Sequence, residues 1–169
     1  MSLEIVTPPG AEPLTLAETK AWLRVDHDAE DALIADLIAS ARGLVEDYLQ
    51  RCLITRRLIE RLDDWGPRLR GGAFVLARPD VQTIHAIKTY DADGAAQVFN
   101  PSLWRLDSAS IPSRVLLNGG GFPRPGRAHQ GVEVDFSAGY GAAPENVPAP
   151  IRTALLILIA DRFERREGE

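Results

Sequence analysis

The periodicity of the apolar residues changes twice along this chain, and that change restricts the fold more than any other feature. Leu33, Ile34, Leu37, Ile38, Ala41, Leu44, Val45 and Tyr48 recur at three- and four-residue spacing, which predicts an amphipathic helix over Asp28–Gln50. Acidic Asp28, Glu30 and Asp31 stand at its start, where the helix dipole favours negative charge, and Asp26-His27-Asp28 supplies N-cap residues. From Leu53 onward the pattern shortens to the alternation of strands. Ile54–Leu62, Phe74–Leu76, Val81–Tyr90, Gln97–Phe99, Trp104–Asp107, Arg114–Leu117 and Val132–Ser137 read as short strands. Helical spacing returns after Val147-Pro148-Ala149-Pro150, with Pro150 suited to a first helical turn. The order helices, strands, helix defines an α+β fold.

Local signals refine this outline. Thr15-Leu16-Ala17-Glu18 matches a capping box and opens a short helix to about Val25, with Leu16, Ala17, Ala21 and Trp22 available to pack. Asp91-Ala92-Asp93-Gly94 is a hairpin turn, and Asn118-Gly119-Gly120-Gly121, followed by Pro123 and Pro125, begins a long mobile loop. The final helix runs from Ile151 to about Arg166, and its Ala154–Ala160 centre is apolar on every side. Such a helix must be covered on every side, by the first helices and by a partner chain. The domain organisation expected is a single domain over residues 1–169: helical over 15–50, β-rich over 53–140 with a long loop near 118–131, and a last helix over 148–167.

At 169 residues the chain is long enough for a hydrophobic core without metal or disulfide support. Its single cysteine, Cys52, excludes a disulfide scaffold and a Cys/His zinc module. The N-terminus lacks the basic and apolar regions of a signal peptide, and the longest apolar run, seven residues, is far below the roughly 20 that cross a bilayer. Residence in a cytoplasm and no membrane partner are expected. Residues 1–50 carry ten acidic and three basic side chains, which argues against a phosphate-gripping surface there.

No motif supplies catalysis or a cofactor site. Val25–Asp31 lacks the glycine and distal glutamate of a calcium loop, and Gly119–Gly121 is not followed by the Gly-Lys-Ser/Thr of a phosphate cradle. His27, His85 and His129 are far apart and accompany no nucleophile elbow. The residues therefore predict no enzyme, no metal and no cofactor. One charge pattern stands out: between Ser108 and Val132 there is no Asp or Glu, while Arg114, Arg124 and Arg127 are present, a loop suited to contact an acidic neighbour or a phosphate backbone. A small β-rich module binding single-stranded nucleic acid or a peptide is the alternative function. It would need exposed aromatics interleaved with basic residues on strands, whereas only eleven aromatics exist and Trp22, Tyr48 and Phe163 fall on predicted helices.

Two stretches carry a family resemblance. The first is Leu16-Ala17-Glu18-Thr19-Lys20-Ala21-Trp22-Leu23-Arg24-Val25-Asp26-His27-Asp28-Ala29-Glu30-Asp31, continuing to Val45-Glu46-Asp47-Tyr48. The second is Val134-Asp135-Phe136-Ser137-Ala138-Gly139-Tyr140-Gly141, then Val147-Pro148-Ala149-Pro150-Ile151 and Phe163-Glu164-Arg165-Arg166-Glu167. Together they resemble the head–tail connector, or adaptor, proteins of long-tailed bacteriophages and of phage-derived gene transfer agents. The resemblance implies a structural virion protein, assembled in a bacterial cytoplasm, that forms a ring of about a dozen copies beneath the portal. It also implies a continued DNA channel, without sequence-specific binding, and a tail-completion or stopper protein on the far side. In that setting Leu155, Leu156, Ile159, Arg162, Phe163, Arg165 and Arg166 are the expected partner or portal interface. Asp26, Asp28, Glu30 and Asp31 are expected to form an acidic face toward the channel or solvent.

Overall fold

The computed structural model describes residues 2–165, the side chain of Pro67 aside. The chain divides into two compact units, each assembled from separate stretches: Met1–Pro8 with Arg56–Gly139, and Pro9–Thr55 with Tyr140–Glu169. The first is all β apart from short turns of 3-10 helix, and the second is helical.

The helical unit holds α1 (Leu16–Leu23), α2 (Asp31–Leu49) and α3 (Ala149–Glu164). Arg166 and Glu167, expected at the end of the last helix, lie outside the described residues. Thr15 caps α1 as anticipated, its hydroxyl accepting from the Glu18 amide at 3.1 Å. The return half of the capping box is absent. The Glu18 carboxylate instead takes Arg152 of α3, at 2.6 and 2.7 Å, because a guanidinium is a stronger donor than a backbone amide. Ala17, Ala21 and Trp22 face outward, and it is Leu16, Thr19 and Leu23 that turn inward, with the Thr19 hydroxyl satisfied by the Thr15 carbonyl at 2.9 Å.

The start of α2 also departs from expectation. Its N-cap is Glu30, which makes no side-chain capping bond. The carboxylates of Asp28 and Asp31 are drawn sideways to Lys20, at 2.7 and 2.6 Å, rather than onto the helix amides. Along α2, Ile34, Ile38 and Ala41 are buried against Leu155, Leu156 and Ile159 of α3, with Leu14, Leu53, Ile54 and Val147 completing the core. Leu33, Leu44 and Tyr48, expected on the same face, form a separate exposed stripe. The buried Glu46 ties the core's edge, accepting from the Leu53 amide at 2.7 Å and from Arg42 at 3.0 Å.

The β unit contains two antiparallel sheets. In the larger, β1 (Ser2–Ile5), β2 (Arg56–Leu62), β9 (Val132–Ala138), β5 (Val81–Tyr90) and β6 (Ala96–Val98) lie in that order. In the smaller the order is β3 (Leu69–Arg70), β4 (Ala73–Val75), β8 (Arg114–Leu117) and β7 (Trp104–Asp107). Strands β1 and β3 have no counterpart in the sequence reading, being four and two residues long. β1 gains its structure by pairing Leu3 with Glu60 and Ile5 with Leu58. The β5–β6 hairpin forms on Asp91–Gly94, whose Asp91 carboxylate accepts from the Asp93 and Ala95 amides at 3.0 and 2.8 Å, while Gly94 takes φ 84°.

β9 is central and alternates. Val132, Val134, Phe136 and Ala138 share the apolar face, and Glu133 and Asp135, also buried, share the other with half-buried Ser137. The loop expected to be long and mobile is irregular but packed. Phe122 inserts among Trp65, Phe74 and Phe99, with its ring centroid 4.8 Å from that of Trp65, and the Pro123 carbonyl accepts from the Trp65 indole at 2.7 Å.

Candidate interaction surfaces

Three surfaces were expected from sequence, and the structure redistributes them. On α3, Leu155, Leu156 and Ile159 are not available to a partner, because all three are buried in the helical unit's own core. The helix is covered on one side only: Ile157 is 57% exposed and Ala154 is exposed. Phe163 is partly buried against the same core, and Arg162 donates to the Ser40 hydroxyl at 2.8 Å. What faces outward at this end is Arg165, 80% exposed and paired one turn back with Asp161 at 2.8 Å. Arg166 lies outside the described residues.

The expected arginine loop is also divided. Arg114 lies on β8 and pairs with Asp107 at 2.9 Å. The Asp107 carboxyl is held below its ordinary value by hydrogen bonds from Ser110 and then Arg114. Arg127 is turned back onto the protein, 4.3 Å above the Tyr90 ring and donating to the His129 carbonyl at 2.7 Å. Arg124 is exposed.

The acidic segment is exposed at Asp26 and Asp28 and half-buried at Glu30 and Asp31. Hydrogen bonding to Lys20 holds the Asp28 carboxyl below, and the Lys20 ammonium above, their ordinary values. Part of the negative charge that the sequence places here is therefore compensated by a residue eight positions earlier.

Two features escaped the sequence reading. One is a charged ladder across the larger sheet. Arg57 of β2 grips Asp135 with two bonds, at 2.8 and 2.6 Å, and holds its carboxyl below the ordinary value. Glu133 takes Lys88 at 2.8 Å, Tyr90 at 3.0 Å and Arg61 at 3.3 Å. Burial pushes Glu133 up, but these partners outweigh it and its carboxyl sits low. The Glu133-x-Asp135 alternation inside an apolar strand was the available signal. The other is a concavity of about 670 Å³ in the β unit, lined by Arg68, Arg70, Val75, Ile111 and Arg114 among others. No sequence signal announces it, since its walls come from separated segments.

The aromatics of the β unit do not form a platform for bases. Phe74, Phe99 and Phe136 are buried, and Trp65 is buried with its indole N–H engaged. Among the described residues, no group of three or more His, Cys, Asp or Glu is placed to hold a metal ion, and no helix is long and apolar enough to cross a membrane.

Each unit thus carries an apolar core, with ion pairs, arginines and some apolar side chains at its exterior. Comparison with known proteins gives the class. The family model for phage gp6-like head–tail connector proteins matches residues 13–70. Three solved chains align over 100% of this one. A chain from the neck of an empty gene transfer agent particle, computed with C6 symmetry, has a TM-score of 0.84, 30% identity and 87% of its own length covered. One from the virion of a native gene transfer agent particle has a TM-score of 0.84, 29% identity and 88% coverage. A third, from the neck of a native particle computed with C12 symmetry, has a TM-score of 0.76, 28% identity and 86% coverage. A search of curated proteins returns no match. The chain belongs to the phage gp6-like head–tail connector family.

Proposed function

We propose that this protein is a ring-forming subunit of a particle neck, joining a DNA-filled head to its tail. The observation that carries the reading is the full-length alignment, at 30% identity, with a chain of a gene transfer agent neck. The cyclic symmetry of the related necks supports a ring of this chain, in which one heterologous contact repeats around the axis. Both units serve as one connector subunit, and its role is structural rather than enzymatic.

Within that ring, we infer that the C-terminal end of α3 meets the portal protein and that a tail-completion protein binds the opposite side. Ile157 of α3 and Arg165 at its C-cap are among the exposed side chains open to the portal; Leu155, Leu156 and Ile159 are not, since they hold the core. Asp26 and Asp28, exposed and acidic, suit a channel wall along which DNA slides, because that wall must avoid gripping phosphate. The ring is accordingly expected to bind duplex DNA weakly even at low salt, and submicromolar binding at physiological salt overturns the channel placement.

Removal of the gene from a particle-producing strain tests the central reading. Electron microscopy should then reveal filled heads and separate tails, and supplying the chain in trans should restore joined particles. Joined, DNA-delivering particles at normal numbers without this chain would refute the connector role.

A further inference from the structure

A ring of identical subunits requires two different, complementary patches on each copy, since every interface joins one surface to another. The two units of this chain differ in charge as such an arrangement demands. The β unit carries eleven basic and ten acidic residues, the helical unit eight basic and fourteen acidic. Each also exposes a mixed apolar and charged patch of the matching sign.

On α2 the outward stripe consists of Leu33, Leu44 and Tyr48, with Asp36 and Asp47 exposed at helical spacing among them. Tyr48 is 86% exposed. This is apolar and aromatic surface that the unit's own core leaves uncovered. In the β unit, the concavity of about 670 Å³ presents Arg68, Arg70 and Arg114 around Val75 and Ile111. Ile111 is 70% exposed. Arg68 reaches the buried Glu60 at 3.2 Å and Arg114 reaches Asp107 at 2.9 Å, so both guanidinium groups are held in place, while Arg70 is exposed.

We propose that the α2 stripe of one copy docks into the arginine-lined concavity of the next copy, with Tyr48 against Ile111 and Asp47 toward Arg70. The proposal rests on the ring reading above and names the surfaces that would close it. Tyrosine and arginine around an apolar centre are the residues that carry protein interfaces. A phosphate backbone fits less well, since two of the three arginines already hold carboxylates and a phosphate chain would leave Ile111 uncovered.

The test uses assembled particles. Two tagged forms of the chain, Tyr48→Cys and Ile111→Cys, are co-expressed in the strain lacking the gene and treated with a short bismaleimide. Both positions are exposed, so folding is preserved, and Cys52 is buried and serves as the unreactive background. The expected result is a cross-link between the two forms, absent when either is present alone, because a head-to-tail contact brings unlike positions together. In parallel, Arg70→Glu and Asp47→Arg should each reduce joined particles about tenfold or more, and the two changes together should restore them substantially. Rings that assemble normally but give no cross-link, or that tolerate both single reversals, overturn the proposed contact while leaving the ring reading intact. Absence of rings from particles built with the unaltered chain overturns both. Loss of duplex DNA binding in Arg70→Glu, with assembly unchanged, would assign the concavity to nucleic acid and refute the proposal.

Discussion

Ile159→Ala separates the two roles open to the apolar centre of α3. Ile159 is fully buried among Ile34, Ile38, Ala41 and Leu155, so its removal leaves a cavity inside the helical unit rather than a gap in a subunit interface. Truncating a buried isoleucine to alanine costs roughly 2–5 kcal/mol, from lost transfer energy plus the unfilled volume. For a small cooperative unit each kcal/mol lowers the melting temperature by roughly 4–8 °C, so a drop of at least about 8 °C is expected. Ile157→Ala, two residues away but 57% exposed, should change the melting temperature by no more than a few degrees. Thermal unfolding of the dilute protein, followed by circular dichroism at 222 nm, compares the two. A melting temperature for Ile159→Ala within a degree of the parent, with assembly abolished, would refute the core assignment and return the residue to the interface.

Thr15→Ala should destabilise by about 1 kcal/mol through loss of the Glu18 amide's acceptor, measured as a shift in the urea midpoint at unchanged slope. Gly131→Ala should severely destabilise the β unit: a Cβ there would lie 2.5 Å from that of Pro125 and 2.7 Å from the Asp63 carbonyl oxygen. Gly10→Ala, with nothing within 4 Å, is the control, and equal melting curves for the two variants would contradict the packing of the loop. The low-lying carboxyls of Glu133 and Asp135 contribute stability that is present above their unfolded values, near 4.5 and 3.8, and lost as pH falls through the still lower folded ones. Asp135→Asn should therefore be less stable at pH 7 and lose less on acidification to pH 3; an unaltered pH dependence in denaturant titrations would contradict the Arg57 pairing. Glu60 acts with opposite sign, since burial raises its carboxyl above the ordinary value despite Arg68, and the resulting cost at neutral pH is relieved on acidification.

The position of α2, the hairpin at Asp91–Gly94 and the last helix were all legible in the residues, because each depends on a period or a turn chemistry spanning a few neighbours. Of the two stretches that carried the resemblance, Leu16–Asp31 lies inside the family match at residues 13–70, while Val134–Ile151 lies outside it and is covered by the full-length structural alignments. Periodicity could not decide which apolar residues face inward where more are present than one face holds. On α2 the eight apolar positions split into a buried row at Ile34, Ile38 and Ala41, half-buried Leu37 and Val45 beside it, and an exposed row at Leu33, Leu44 and Tyr48. On α3 an all-apolar centre left every face equivalent, and only packing against α2 selected Leu155, Leu156 and Ile159. Charge partners were equally hidden. Glu18 matched a capping box on its own segment, yet its carboxylate is claimed by Arg152, and the guanidinium of Arg57 finds Asp135 across the sheet. Partners 134 and 78 residues apart are brought within 3 Å by the fold alone, and no local pattern records them.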